Sequence, residues 1–431
     1  MSASGNRVAA ASMVGSVVEY YDFTLFGLAA ALVFGEQFFP GTSPLAATLA
    51  SLATFAVGFL ARPLGGVIFS HYGDRIGRKP MMVATLLLMG FATAAIGLLP
   101  GYGTIGVLAP ILLVLLRLLQ GFGAGAEYVG ALVMAAESGD ERRRGFLSSL
   151  PGTGVFIGIL LATLTFSGIS SLPEAQFQSW GWRLPFLLSL AGVALGLYFR
   201  SQVEETPIFA ELRRTGETGK APVVEVIRHQ PKRLLLAMAA NGPFVAISYL
   251  IQVFVLSYVT TTLGVAKSTG LIANVSASAL AIVATPLFGM LSDRIGRRPV
   301  WFLGAGFLAL FAFPMFWLVD TRAPVAIVLA VVLGLAVGIA SMYAAQASLF
   351  AELFEARFRL SGIALAREST AALIGGPAPL VASAVLAWSG GASWPIAALV
   401  CGLALISLVA VLAVPETRGA DLRQAAPVRL R

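Results

Sequence analysis

The sequence predicts an all-α integral membrane protein in which twelve transmembrane helices form two pseudo-symmetric six-helix bundles. Three observations predict it. The 431-residue chain is 58% hydrophobic and only 12% charged, against about 25% charged residues in a soluble globular protein. Its long apolar runs reach the roughly 20 residues that a helix needs to cross a bilayer. The segment "DRIGR" also occurs twice, in "HYGDRIGRKP" and "MLSDRIGRRP", each time between two such runs and before a base and a proline. Barrel strands would alternate over about ten residues; these runs are too long and too evenly apolar.

The elements follow in order. The first span, 13–38, comes after "MSASGNRVAAASMV", which has one base and no clear cleavage site. It reads as a cytoplasmic tail entering a retained helix rather than a cleaved leader. This span carries Glu19 and Asp22. The second, 45–70, carries Arg62 and ends in the first "DRIGR" loop. The third, 80–99, opens with Pro80, which suits a helix's first turn. The fourth, 105–136, carries Arg117, Gln120 and Glu127, with "GFGAGA" between them to let another helix approach. The fifth and sixth are 145–169 and 183–199.

The stretch 200–232 is too charged to span and too short for a further domain, so it divides the chain into halves 1–199 and 233–431. The second half repeats the plan with spans 233–262, 269–291, 299–319, 324–350, 360–388 and 394–414. The "DRIGR" loops then fall after the second span of each half. Repeats with a site between them near the bilayer midplane are a transporter plan.

Orientation follows from the bases. One set of loops holds Arg75, Arg78, Lys79, Arg142, Arg143, Arg144, the bases of 200–232, Arg294, Arg297, Arg298, Arg357 and Arg359. The opposite side has Arg183, Lys267 and Arg322. Both termini are expected on the cytoplasmic side. The net charge of +8 is then a topology signal and excludes nucleic acid as the partner. The single cysteine, Cys401, permits no intrachain disulfide, and two histidines make no metal cluster. With no Ser-His or metal-ligand constellation the chain does not read as an enzyme, and no cofactor is expected.

In the repeated loop, Asp74 and Asp293 each end an apolar helix. Such a carboxylate can accept hydrogen bonds from the start of a neighbouring helix, where the dipole is positive, or pair with Arg75, Arg78, Arg294 or Arg297. Gly77 and Gly296 permit a tight turn. The expectation is a packing lock that holds the two halves in one conformational state.

A charged residue at the centre of a span costs roughly 2.5–3.5 kcal/mol, so the intramembrane charges are functional candidates. Glu19 and Asp22 are three apart on one helix face, which suits a carboxyl group that takes up and releases a proton; the alternative is a permanent pair with an Arg. Arg117 is the best candidate for a substrate carboxylate, because its fork matches that geometry; the alternative is an internal salt bridge to Glu19, Asp22 or Glu127. Arg62 reads either as a second positive group or as a base snorkelling to the membrane edge. Arg367 and Glu368 point about 100° apart and need not pair. Tyr20, Tyr128, Asn241, Tyr249, Gln252, Asn274, Tyr343 and Gln346 are candidate hydrogen-bonding groups.

Taken together, two six-helix halves and "G-x-x-x-D-R-x-G-R-[KR]" resemble the major facilitator superfamily. Gly289 holds the motif's first position in the second copy; Ser70 replaces it in the first. "VVEYYDFTLFG", "FLARPLGGVIFSHYGDRIGRK", "LRLLQGFGAGAEYVGA", "WGWRLPFLLS", "EETPIF" and "ELFEARFRLSG" narrow the resemblance to its metabolite:proton symporter branch. That branch includes shikimate, α-ketoglutarate, citrate and proline/betaine transporters, and the first half looks most like the shikimate type. The Arg367–Glu368 pair departs from the aromatic and amide of many relatives, and helix ten lacks their Gly-Pro.

The resemblance implies a monomer in the bacterial cytoplasmic membrane, working by alternating access. The leading expectation is proton-coupled symport of a small organic acid, shikimate-like or a dicarboxylate. Arg117, Gln120, Arg367, Arg62, Tyr128, Tyr249 and Gln346 would face substrate, and Glu19, Asp22, Glu127 and Glu368 would carry the proton. Uptake of a zwitterion such as proline or betaine is the alternative. Export by antiport is a further one, although "PGTGVFIG" in helix five lacks the Gly-Pro-rich pattern of drug antiporters. A channel or a sensor belongs to a different functional class.

Overall fold

The computed structural model describes residues 3–76, 78–125, 127–138, 141–201, 222–355, 359–420 and 422. Among the described residues, twelve long helices make up most of the fold. In the first half these are α1 (Ala3–Leu32), α2 (Pro44–Phe69), α3 (Arg78–Leu98), α4 (Leu108–Glu137), α5 (Arg144–Ser170) and α6 (Gly181–Phe199). In the second they are α7 (Pro231–Thr262), α8 (Lys267–Ile295), α9 (Arg297–Asp320), α10 (Pro324–Leu353), α11 (Arg359–Trp388) and α12 (Trp394–Leu412). Among the described residues, ten of these are long and apolar enough to cross a membrane. The other two are α1, which carries Glu19 and Asp22, and α3, whose apolar part is Val83–Leu98.

The helices run further than the hydropathy edges. α8 continues to Ile295 and α9 begins at Arg297, so the second "DRIGR" is a helix end, a one-residue break and a helix start. Gly296 makes the break with φ +108°, a conformation open to glycine and strained for other residues. In the first copy Gly77 lies outside the described residues, as do the side chains of Asp74, Arg75 and Arg78. α2 is interrupted at Ala61, immediately before Arg62.

Packing follows the small residues. A Cβ on Gly121 would strike the carbonyl oxygen of Gly58, and one on Gly125 that of Arg62. The "GFGAGA" stretch of α4 therefore brings its backbone against α2, as van der Waals packing of membrane helices favours. Between the halves, α5 packs extensively along α8, and the first part of α11 crosses α2 and α4. Among the described residues, four π-helical segments, Leu250–Phe254, Tyr258–Thr262, Gly334–Ile339 and Ala371–Gly375, fall in α7, α10 and α11. Such wide turns concentrate at functional sites. Trp317, Trp388 and Trp394 are exposed near the ends of α9, α11 and α12 remote from the "DRIGR" loops, as expected of side chains that sit at a membrane interface.

Candidate functional site

The centre of the molecule is a knot of charges drawn from both halves. Arg62 is 1% exposed and holds two acids at once. Its Nη2 donates to Glu19 Oε1 at 2.5 Å and its Nε to Glu368 Oε2 at 2.6 Å. Glu19 lies on α1 and Glu368 on α11, so one guanidinium ties the halves together. This excludes the snorkelling role considered for Arg62, because its fork is turned inward and has no access to the membrane edge.

Arg367 and Glu368 do pair, through Arg367 Nη1. As neighbours they need not have met, and they also reach different helices: Glu368 reaches Arg62 on α2 and Arg367 reaches Tyr20 on α1. Arg367 Nη2 also donates to the Tyr20 hydroxyl at 2.7 Å, which in turn lies 3.2 Å from the Tyr343 hydroxyl. Its guanidinium stands 4.0 Å from the centre of the Tyr128 ring, a favourable cation–π distance. Glu19 Oε2 is buried and accepts no hydrogen bond among the described residues.

A second cluster lies within the first half. Arg117 is fully buried and ringed by Phe26, Phe23, Phe55 and Phe59, with ring centres 4.1, 4.4, 5.3 and 5.7 Å from its guanidinium. Its polar contacts are Gln120 Oε1 and the Phe55 carbonyl at 3.3 Å. Among the described residues no carboxylate pairs with it directly. The nearest link is a relay: Gln120 Nε2 donates to Thr93 Oγ1 at 2.7 Å, and Thr93 donates to Asp22 Oδ2 at 2.8 Å. Asp22 and Glu19 therefore share α1 but serve different clusters. Glu127 reaches the same α3, with Thr85 Oγ1 3.4 Å from its Oε2.

The second half adds a layer of amides. Gln346 Nε2 donates to Asn241 Oδ1 at 2.5 Å, and Asn241 Nδ2 to Thr370 Oγ1 at 2.7 Å. Gln252 bonds Ser248 within α7, and Asn274 Nδ2 bonds the Gln252 carbonyl at 3.1 Å. Tyr249 packs edge-on against Phe55 and Phe59 of α2, with centroids 5.4 and 5.1 Å apart.

The end of the bundle that carries the "DRIGR" loops is closed by buried ionic contacts. Asp293 accepts from the backbone N–H groups of Gly145 at 2.7 Å and Phe146 at 2.9 Å, at the start of α5. That is the helix-dipole contact expected of the motif, and it joins one half to the other. Arg297 pairs with Asp293 at 2.8 Å and with Glu352 at 3.2 Å; Arg144 reaches Glu352 at 3.0 Å. Arg359 pairs with Glu137 at 2.9 Å. Glu416 caps the start of α9, accepting from Arg297 N at 2.9 Å and Arg298 N at 3.1 Å. The side chain of Arg294 plays no part in these contacts; its carbonyl accepts from Arg418.

The opposite end carries a crevice. About 250 Å³ in volume, it lies between the starts of α2 and the far ends of α7 and α11, lined by Pro44, Thr48, Phe254, Tyr258, Thr261 and Ser383 among others. Its floor is about seven residues, roughly 10 Å, above Phe55 along α2. The halves touch at this end through Lys267 and Glu174, 3.4 Å apart and well exposed. The Gln178 hydrogen bond holds the Glu174 carboxyl below its ordinary range, with Lys267 adding to it.

Sequence reasoning singled out every charge in the central knot but missed Thr93, Thr370, Glu137, Glu352 and the phenylalanine ring. Glu352 was within reach, since it opens "ELFEARFRLSG". The threonines carry no signal of their own in a sequence where hydroxyls often bond their own helix backbone.

Comparison with known proteins agrees with this architecture. The Major Facilitator Superfamily model matches residues 12–376 and 245–429. The chain is 38% identical to the shikimate transporter of Escherichia coli K12 over 417 residues, covering 96% of this chain and 95% of that one. It is 36% identical to the inner membrane metabolite transport protein YhjE of the same organism, over 97% and 96% of the two chains. It is 33% identical to the E. coli proline/betaine transporter, over 97% and 85%. The structure of the proton:xylose symporter XylE bound to 6-bromo-6-deoxy-D-glucose superposes with a TM-score of 0.77 at 18% identity, over 98% of each chain.

Proposed function

The chain belongs to the major facilitator superfamily as a membrane transporter of metabolites, and on that premise we propose that it takes up a small organic acid together with a proton. One observation carries the reading: Arg62 is held between Glu19 at 2.5 Å and Glu368 at 2.6 Å, on opposite halves. A buried base shared by two acids has no free fork for an anion. Protonating either acid removes one charge from the pair and leaves the guanidinium short of a partner. A substrate carboxylate then takes that position with the same bidentate geometry. Proton and anion therefore favour each other's binding, which is the thermodynamic requirement for symport.

In this reading Arg62 and Arg367 receive the anion, while Glu19 and Glu368 carry the proton. Arg117 stays in its ring of phenylalanines and reports on Asp22 through Gln120 and Thr93. The units that rock are 1–199 and 233–431, joined by 200–232. The "DRIGR" end is the cytoplasmic one, so the conformation described is closed inward and open outward. The carrier works as a monomer in the bacterial cytoplasmic membrane, with both termini inside.

Similarity to the shikimate transporter supports an organic acid. A second reading, a zwitterion such as betaine, draws on Tyr249 with Phe55 and Phe59, since aromatic faces attract a quaternary ammonium. Reconstituted protein distinguishes them. An acid interior-negative gradient, outside pH below inside, should drive uptake of labelled shikimate, and an uncoupler should abolish it. Glu368→Gln should bind the acid without responding to the gradient. Uptake indifferent to collapse of the gradient defeats the symport reading, and uptake of betaine alone defeats the organic acid.

A further inference from the structure

The amide layer of the second half is a hydrogen-bond chain with one open end. The Thr370 hydroxyl donates to the Ala366 carbonyl at 2.7 Å. Its oxygen must therefore accept from Asn241, which fixes the Asn241 amide and, through it, the Gln346 amide. Gln346 donates with Nε2 and is left with Oε1 facing no donor among the described residues, although the residue is fully buried. A buried acceptor without a donor is unfavourable, and a native one calls for an explanation.

Its position supplies one. Tyr343 is three residues before Gln346 on α10, and Arg367 is three before Thr370 on α11, so each pair lines one helix face. Tyr343 and Arg367 converge on the Tyr20 hydroxyl. Gln346 and Thr370 converge on Asn241. The two layers are stacked about one helical turn, roughly 5 Å, apart. Arg367 Nε is itself buried without an acceptor. An unused donor on a base thus accompanies an unused acceptor on an amide, on facing helices.

We propose that Gln346, oriented by Asn241 and Thr370, is a recognition point for a hydroxyl group on the transported acid. The ligand class is a small hydroxylated carboxylate, its carboxylate at Arg367 and Arg62 and a hydroxyl donating to Gln346 Oε1. This rests on the organic-acid reading. Betaine, with three methyl groups on its nitrogen and an ionised carboxylate, has no proton to offer there.

The test is a matched pair of probes on purified full-length protein: shikimate, and cyclohex-1-ene-1-carboxylate, which keeps the ring and carboxylate but lacks the hydroxyls. Wild-type protein should bind shikimate roughly 5- to 150-fold more tightly, the range for leaving a buried polar group unsatisfied. Gln346→Met, similar in size but with no amide, should bring the two affinities within about twofold, with the loss falling mainly on shikimate. Equal affinities in the wild type overturn the proposal, because water then satisfies Gln346 as well as a ligand does. Equal weakening of both acids by Gln346→Met also overturns it, since the residue then acts through packing. Binding of neither acid overturns the subsite and the organic-acid reading together; binding of both without preference overturns the subsite alone. The wild-type comparison needs no variant and so does not depend on how the variant folds.

Discussion

The two ends of the bundle are fastened by different physics. At the "DRIGR" end, Asp293, Arg297, Glu352 and Arg144 are buried or nearly so and share their hydrogen bonds. At the other, Lys267 and Glu174 meet in the open with side chains 41% and 67% exposed. Removing one member of a buried pair leaves an uncompensated charge and costs about 3–5 kcal/mol, whereas an exposed pair is worth about 0–1 kcal/mol. The difference teaches that this conformation is selected at one end. The expectation is that the closed end, together with the central Arg62–Glu368 tie, sets the equilibrium and that the open end only trims it.

The sharpest way to break that contrast is Glu352→Ala, which strips Arg144 and Arg297 of their shared acid. A loss of about 3–5 kcal/mol is expected from the closed end. In a Cys401→Ala background, thiol labelling of Ser149→Cys should rise at least tenfold and that of Thr261→Cys in the crevice should fall. Unchanged labelling at both positions would refute selection by the closed end.

Overpacking the same seam should act more mildly. A Cβ on Gly289 would lie 2.8 Å from the Gly145 carbonyl oxygen and 2.6 Å from Ser149 Oγ. Gly289→Ala should push α5 and α8 apart at a cost of about 1–3 kcal/mol, read as a smaller shift in the same labelling ratio. Asp293→Asn keeps an acceptor for one α5 amide but loses the charge facing the helix start and Arg297. About 1–2 kcal/mol is expected, measurable as a lowered melting temperature in detergent.

Lys267→Ala should change neither labelling nor melting by more than about 0.5 kcal/mol. Acidity gives the finer version. Because the Glu174 carboxyl is held below the ordinary carboxylate range, by Gln178 first and Lys267 second, the attraction to Lys267 is present throughout that range and is lost only as pH falls through the lowered value. The contribution of this pair to Thr261→Cys labelling, read as the difference between the parent and Lys267→Ala, should therefore be flat from pH 7.5 to about 5. A step within that window would mean that this end, too, carries a switch.

Much of this was legible beforehand and some of it was not, for identifiable reasons. Helix number, the duplicated joint and the Asp293 contact with a helix start follow from hydropathy, glycine and the helix dipole, all local properties. Which acid meets which base follows from helix rotation and tilt, which periodicity does not encode. Glu19 and Asp22 share a face yet turn to α2 and α3 respectively. Arg117, the apparent anion binder, is instead enclosed by phenylalanines from α1 and α2. The Gln346–Asn241–Thr370 chain joins three helices far apart in sequence, so no window of the chain contains it.

The central groups have one more consequence, for the membrane voltage. With acids ionised and bases charged, Glu19, Asp22 and Glu368 balance Arg62, Arg117 and Arg367. Carrying one uncompensated charge through the full field costs roughly 2.3 kcal/mol per 100 mV. These six carry none in sum, but Glu127 is buried on α4 as well, so the empty carrier does no electrical work only with one proton on these four acids. A singly charged anion accompanied by one proton preserves that balance. Voltage dependence in the loaded cycle would then count the protons beyond the first.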